Sequence, residues 1–191
     1  MVTLERTYLD TAEVAKLVRR QLAAKFPGVK FQARISRYSV DIRWTDGPRN
    51  KDVKAVVEPF EGNGFDGSID LAYSKDTWIM PDGSAQRAAV ESTNGSRGTV
   101  EGYVTDAPHP NARLVRTTCW VSTRRDISNE REQIAQAEAY LRQHCRLDHY
   151  DYGDKFGNEW VSNIAINIAN DRAEGESWEA PFRRVALREA K

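Results

Sequence analysis

The sequence predicts an α+β fold: an antiparallel sheet with helices packed on one face, opening as an α-β-β-α unit and running through further strands to two C-terminal helices. Three observations lead there. Apolar residues recur at helical spacing from Thr11 to Phe26, and they alternate with polar residues from Val29 to Trp44. Pro-Gly and Asp-Gly pairs stand where one period gives way to the other.

In the first helix Asp10 or Thr11 supplies the cap and Glu13 the acid of a capping box, with Val14, Leu17, Val18, Leu22 and Phe26 on one side until Pro27-Gly28 stops it. Val29, Phe31, Ala33 and Ile35 then alternate with Lys30, Gln32, Arg34 and Ser36. After a turn near Arg37-Tyr38, Val40, Ile42 and Trp44 alternate with Asp41 and Arg43, so a hairpin with one apolar face is expected. Thr45-Asp46-Gly47-Pro48 breaks it. A second helix is expected from about Pro48 to Glu58, ended by Pro59.

The segment EGNGFDGSIDL, Glu61 to Leu71, spaces Gly62, Gly64 and Gly67 as G-x-G-x-x-G. A dinucleotide fingerprint needs those glycines after a parallel strand and before a helix, so that the helix N-terminus receives the pyrophosphate. Here they follow a helix and precede a strand-like alternation of Ile69, Leu71 and Tyr73. They read as turns, with Gly62 closing the helix in a left-handed conformation and Asp66-Gly67 turning into a strand that begins at Ser68.

The runs TAEVAKLVRRQLAAKFPGVKF, SRYSVDIRWTDGP, VKAVVEPFEGNGFDGSIDLAYS and FGNEWVSNIA make the chain resemble the large polyvalent protein-associated domain 29 family, mainly over residues 10–100. The resemblance implies a protein of bacteriophages or conjugative elements, often one module of long chains that accompany DNA into a recipient cell and blunt its defences. It supplies no catalytic residue.

Farther on, Trp78, Ile79 and Met80 form a short strand before Pro81-Asp82-Gly83, and the polar stretch Ala85 to Gly102, with Asn94-Gly95 and Gly98, reads as a loop. Leu114 to Thr123 is expected as one strand with Val115, Thr117, Cys119 and Val121 on its inner face. Ser128 caps a helix reaching Cys145, and Asn158 caps a last helix that Gly175 closes. Trp178, Phe182 and Val185 favour docking of the C-terminal segment. The whole is expected as a single compact domain over 1–191, with the family-like unit at about 10–100 and a strand-helix-helix part at about 111–175.

Composition narrows the function classes. The 191 residues carry 29% charged side chains, and no stretch approaches the roughly 18 apolar residues of a membrane span. The charged start MVTLERTYLD does not read as a secretory signal, which points to a cytoplasm, and the resemblance implies that of a bacterial host. Cys119 and Cys145 are the only cysteines and read as buried thiols. His144, Cys145, Asp148, His149 and Asp151 cluster metal-ligand types, but no second ligand pair accompanies them; neither a metal nor another cofactor is expected.

Net charge is zero yet segregated. Residues 1–57 hold 12 Lys and Arg against 6 Asp and Glu, and residues 58–107 hold 3 against 9. Two candidate surfaces follow: an acidic one of Asp66, Asp70 and Asp76, and a basic one of Lys30, Arg34, Arg37 and Arg43 with Tyr38 at the turn. Because a dedicated nucleic-acid binder is usually basic overall, the sequence favours a non-enzymatic protein that binds and inhibits a host defence complex, of CRISPR or restriction type. The partner is then a host protein or ribonucleoprotein. The alternative is a nucleic-acid-binding protein that protects incoming mobile DNA.

Overall fold

The computed structural model describes residues 5–90, 92–93, 99–100, 104–150, 153–157 and 159–189. The chain divides into two units, Met1–Trp44 with Lys51–Arg124, and Thr45–Asn50 with Arg125–Lys191.

The first unit begins with β1 (Thr7–Tyr8) and α1 (Thr11–Lys25). The expected capping box is present: the Asp10 carboxylate accepts from the Glu13 N–H at 2.8 Å, and the Glu13 carboxylate accepts from the Asp10 N–H at 2.9 Å. Phe26 caps the other end, and Gly28 at φ +84° lets the chain reverse. β2 (Gln32–Ile35) and β3 (Ser39–Thr45) pair as the expected hairpin, with Ala33 opposite Ile42 and Ile35 opposite Val40. α2 (Asn50–Val57) tightens into a 3-10 turn over Glu58–Phe60, where Pro59 sits in the first turn and its missing N–H leaves no bond unmade.

Val14, Val18 and Leu22 of α1, Val40, Ile42 and Trp44 of β3, and Val53 and Val57 of α2 form one core, joined by Phe31. Both helices therefore cover the same face of the hairpin. Each such side chain removed from water contributes about 1.5–3 kcal/mol, which is why the apolar alternation fixes which face turns inward.

The glycine segment is a second hairpin. β4 (Asn63–Asp66) pairs antiparallel with β5 (Leu71–Ile79), and Gly67 to Asp70 make the turn, so the strand begins at Leu71 and not at Ser68. The Asp66 carboxylate takes both the Ser68 N–H, at 2.9 Å, and the Ser68 hydroxyl, at 2.6 Å, and these bonds hold Ser68 in the turn. Gly62 has no left-handed φ. What it needs is closeness: a Cβ there would lie 1.9 Å from the Thr117 carbonyl oxygen. Its N–H donates to the Cys119 carbonyl at 2.9 Å.

β5 is one nine-residue strand that absorbs both the segment near Tyr73 and the one near Trp78. It pairs with β6 (Ala85–Val90), which overturns the expected loop at that point, and with β9 (Arg113–Arg116). β7 (Ser92–Thr93) and β8 (Thr99–Val100) pair with each other; Asn94, Gly95 and Gly98 lie outside the described residues. β1 runs parallel to β9, so the sheet is mixed. The single strand expected over Leu114 to Thr123 is two, β9 and β10 (Trp120–Asp126), in different sheets. Between them the Thr118 and Cys119 carbonyls accept from Asn63 and Gly62, so the chain bonds to the start of β4 while it crosses from one sheet to the next. The expected inner face nonetheless holds, with Val115, Thr117 and Cys119 buried.

The second unit contains α3 (Glu130–His144), the small sheet β11 (Asp148–Tyr150), β12 (Gly153–Phe156) and β13 (Glu159–Trp160), and the helices α4 (Val161–Asp171) and α5 (Glu179–Glu189). Ser128 does not cap α3. Its N–H donates to the Asp46 carboxylate at 2.9 Å and its hydroxyl bonds the same group, while Asn129 occupies the cap position at φ +54° without a side-chain bond. α4 starts at Val161 after β13; Asn158 lies outside the described residues. It ends at Asp171, and Gly175 serves the next turn at φ +76°. The C-terminal segment docks: Trp178, Phe182 and Val185 pack on the core of Ala137, Leu141, Ile164 and Ile168. The α+β class stands, with its helix-strand-strand opening and helical C-terminal part.

Candidate nucleic-acid interface

Strand alternation sends Val40, Ile42 and Trp44 inward and leaves Asp41 and Arg43 outward, and on β2 the outward positions are Gln32 and Arg34. Arg34 lies directly opposite Asp41, two register pairs from Arg43. Lys30, Arg34, Arg37, Tyr38 and Arg43 are all exposed. Among the described residues Lys30, Arg34 and Arg43 make no ion pair, and the Arg37 guanidinium sits 5.1 Å above the Tyr38 ring. Lys30 and Arg37 stand at opposite ends of β2, so the cations spread over a distance on the order of 20 Å.

β10 is the third strand of this sheet, in the order β10-β3-β2, and it adds what sequence reasoning missed. Ser122 donates its hydroxyl to the outward Asp41 at 2.5 Å, which places the alternate residues Trp120 and Arg124 on the same outer face. The Trp120 N–H donates to the Tyr38 carbonyl at 2.8 Å, bringing the two aromatic residues to neighbouring backbone positions. Both are exposed, Tyr38 at 51% and Trp120 at 38%. The signal was legible in part: with Cys119 and Val121 inward, Trp120 and Arg124 had to face out, but nothing local said which sheet they join.

The acidic set is not brought together. Asp76 is 1% exposed, against the expectation of a surface residue. Its carboxylate accepts from Arg6 at 2.9 Å and from Arg116 at 2.6 and 3.1 Å, because β5 lies at the centre of its sheet and an unpaired charge there would be costly. Asp66 is held in its turn, and Asp70 is exposed at φ +53°.

Other chemistry-bearing residues are engaged locally. Burial pushes the Cys119 thiol up to about 11 and raises that of Cys145, so neither is a ready thiolate. α3 ends at His144 and the backbone at Cys145 is extended, so Cys145 and His149 are not one helical turn apart, the spacing a shared zinc would need on a continued helix. His144 stacks on Tyr140 with ring centroids 4.0 Å apart. His149 meets Asp154 at 2.6 Å, and the bonds from His149 and Arg142 hold the Asp154 carboxyl below its ordinary range. Asp151 lies outside the described residues. Among the described residues no group of three or more His, Cys, Asp or Glu is placed to hold a metal ion. A cavity of about 480 Å³ bears Asp82 and His109, but Asp82 accepts from Ser84 and His109 from the Asn111 N–H, both within their own turns.

Among the described residues no helix is long and apolar enough to cross a membrane. No curated protein and no solved structure matches the chain significantly. The family model described as large polyvalent protein associated domain 29 does match, over residues 9–128, a span that takes in the capped helix, both hairpins and the whole of β10. The chain belongs to the large polyvalent protein associated domain 29 family, and with it to the proteins associated with phages and mobile elements.

Proposed function

We propose that this protein is a non-enzymatic accessory factor of a phage or conjugative element that binds nucleic acid in the bacterial cytoplasm, through the outer face of the β10-β3-β2 sheet. One observation carries the reading: Lys30, Arg34, Arg37 and Arg43 are exposed together beside two aromatic residues, whereas the acidic candidates are divided between a buried ion pair and a turn. The sequence alone favours the reverse, because the chain has no net positive charge and an acidic middle segment in which Asp76 counts as surface charge. Arginines on a sheet face suit phosphate oxygens, and the zero net charge of the whole chain matters less than the local field of this face.

The second reading, inhibition of a host defence complex by direct protein contact, draws on the β4–β5 turn. Phe65 is 54% and Ile69 37% exposed beside Asp70, an apolar and acidic tip of the kind that enters a protein surface. Charge-swapped variants separate the two. Arg34→Glu with Arg43→Glu is expected to abolish retention of DNA, and wild-type affinity should fall by about two to three orders of magnitude between about 50 and 200 mM salt if each exposed cation of this face meets one phosphate. Full DNA retention by the arginine variant, together with loss of defence inhibition when Phe65 and Asp70 are both changed to Ser, would move the function to the tip.

A further inference from the structure

We infer that the preferred ligand of this face is single-stranded nucleic acid, stacked by its bases on Trp120 and Tyr38 while Arg34, Arg37, Arg43 and Arg124 meet its phosphates; the inference rests on the nucleic-acid reading above. The two rings belong to residues joined by a backbone hydrogen bond, from the Trp120 N–H to the Tyr38 carbonyl. Large rings exposed to 38% and 51% lose contact with water only if a partner covers them. The Arg37 guanidinium over Tyr38 makes a third planar surface at the same end of the sheet. The cations lie from this end along β2 and β3.

Duplex DNA fits this arrangement poorly. Its base faces are already stacked, and its major groove admits a helix or a two-stranded ribbon, whereas the arginines here stand on the face of a three-stranded sheet. An unpaired strand offers both a π-face for each ring and phosphates for the arginines, without any demand on base identity. An acidic peptide would satisfy the arginines but would leave the rings uncovered. The charge complementarity and the rings together select the single strand.

The test is fluorescence anisotropy with two labelled probes, an oligo(dT) of about 15 nucleotides and a mixed-sequence duplex of the same length, a size matched to known single-strand sites. The oligo(dT) is expected to bind more tightly. Trp120→Ala should weaken it about 5- to 100-fold, the range that loss of one base–aromatic stack implies, while shifting duplex binding less than about 2-fold. Trp120→Phe, which keeps a ring, should retain most of the affinity, and Tyr38→Ala should repeat the loss; the unchanged duplex affinity serves as the control for folding. Equal affinity for both probes, with no effect of Trp120→Ala but a strong effect of Arg34→Glu with Arg43→Glu, would overturn the single-strand preference and leave nucleic-acid binding standing. Absence of binding to either probe at about 50 mM salt would overturn both.

Discussion

The two hairpins of the first unit invite comparison, because each is an antiparallel pair with charges near its turn, yet they use charge in opposite ways. On β2–β3 the charged residues stand on the outer face, and Lys30, Arg34 and Arg43 are free of ion pairs among the described residues. On β4–β5 the charges of the strand are internal: Lys75 holds Glu61 at 3.0 Å, and Asp76 is clamped by Arg6 and Arg116. A block of charge in a sequence is therefore not a patch of charge on a surface. The difference follows from position, since β5 has strands on both sides along its C-terminal half while β2 is an edge strand.

The largest expected effect comes from the inner face of the basic hairpin. Trp44 is 2% exposed and packs on Phe31 with ring centroids 5.6 Å apart, so Trp44→Ala should cost about 3–5 kcal/mol in urea titration. A loss under about 1 kcal/mol would mean that Trp44 does not anchor this core.

Asp76→Ala should come close behind, at about 3–5 kcal/mol, because it leaves two guanidinium groups facing each other where a carboxylate joined them. Asp70→Ala, by contrast, removes an exposed carboxylate at a left-handed position, and its effect should stay within about 1 kcal/mol. Equal losses at Asp70 and Asp76 would erase the distinction between a structural acid and a surface one.

Gly62→Ala should cost about 1–3 kcal/mol, since the added methyl group meets backbone that has to move. Thermal melts that show no change would place the Thr117 segment farther from β4 than its hydrogen bonds indicate.

The smallest effect should belong to the basic face. Arg34→Glu with Arg43→Glu is expected to cost no more than about 1 kcal/mol, because neither guanidinium holds anything in the fold and the exposed carboxylate set opposite Asp41 adds only a modest repulsion. Destabilisation by more than about 2 kcal/mol would give these residues a structural task and weaken their claim as contact residues.

Much of this fold is legible in the sequence. The capping box at Asp10 and Glu13, the stop at Pro27-Gly28, and the division of Val40, Ile42 and Trp44 from Asp41 and Arg43 follow from chemistry within a few residues of each position. Local bonds and local periods are enough where a helix or hairpin has one wet face and one dry face. The basic half of the candidate site was legible for the same reason.

What only the tertiary structure decided lies between distant residues. Asp76 reads as one acid among nine in its segment, and its burial depends on Arg6, 70 positions earlier, and Arg116, 40 positions later. Trp120 and Arg124 join the hairpin face because Ser122 meets Asp41 across 81 positions. The break between β9 and β10 depends on Gly62 and Asn63 capturing the carbonyls of Cys119 and Thr118. A sequence period records which side of an element is dry; which neighbour dries it, and which charges that neighbour neutralises, is set by strand pairing whose partners carry no mark of each other in their local sequence.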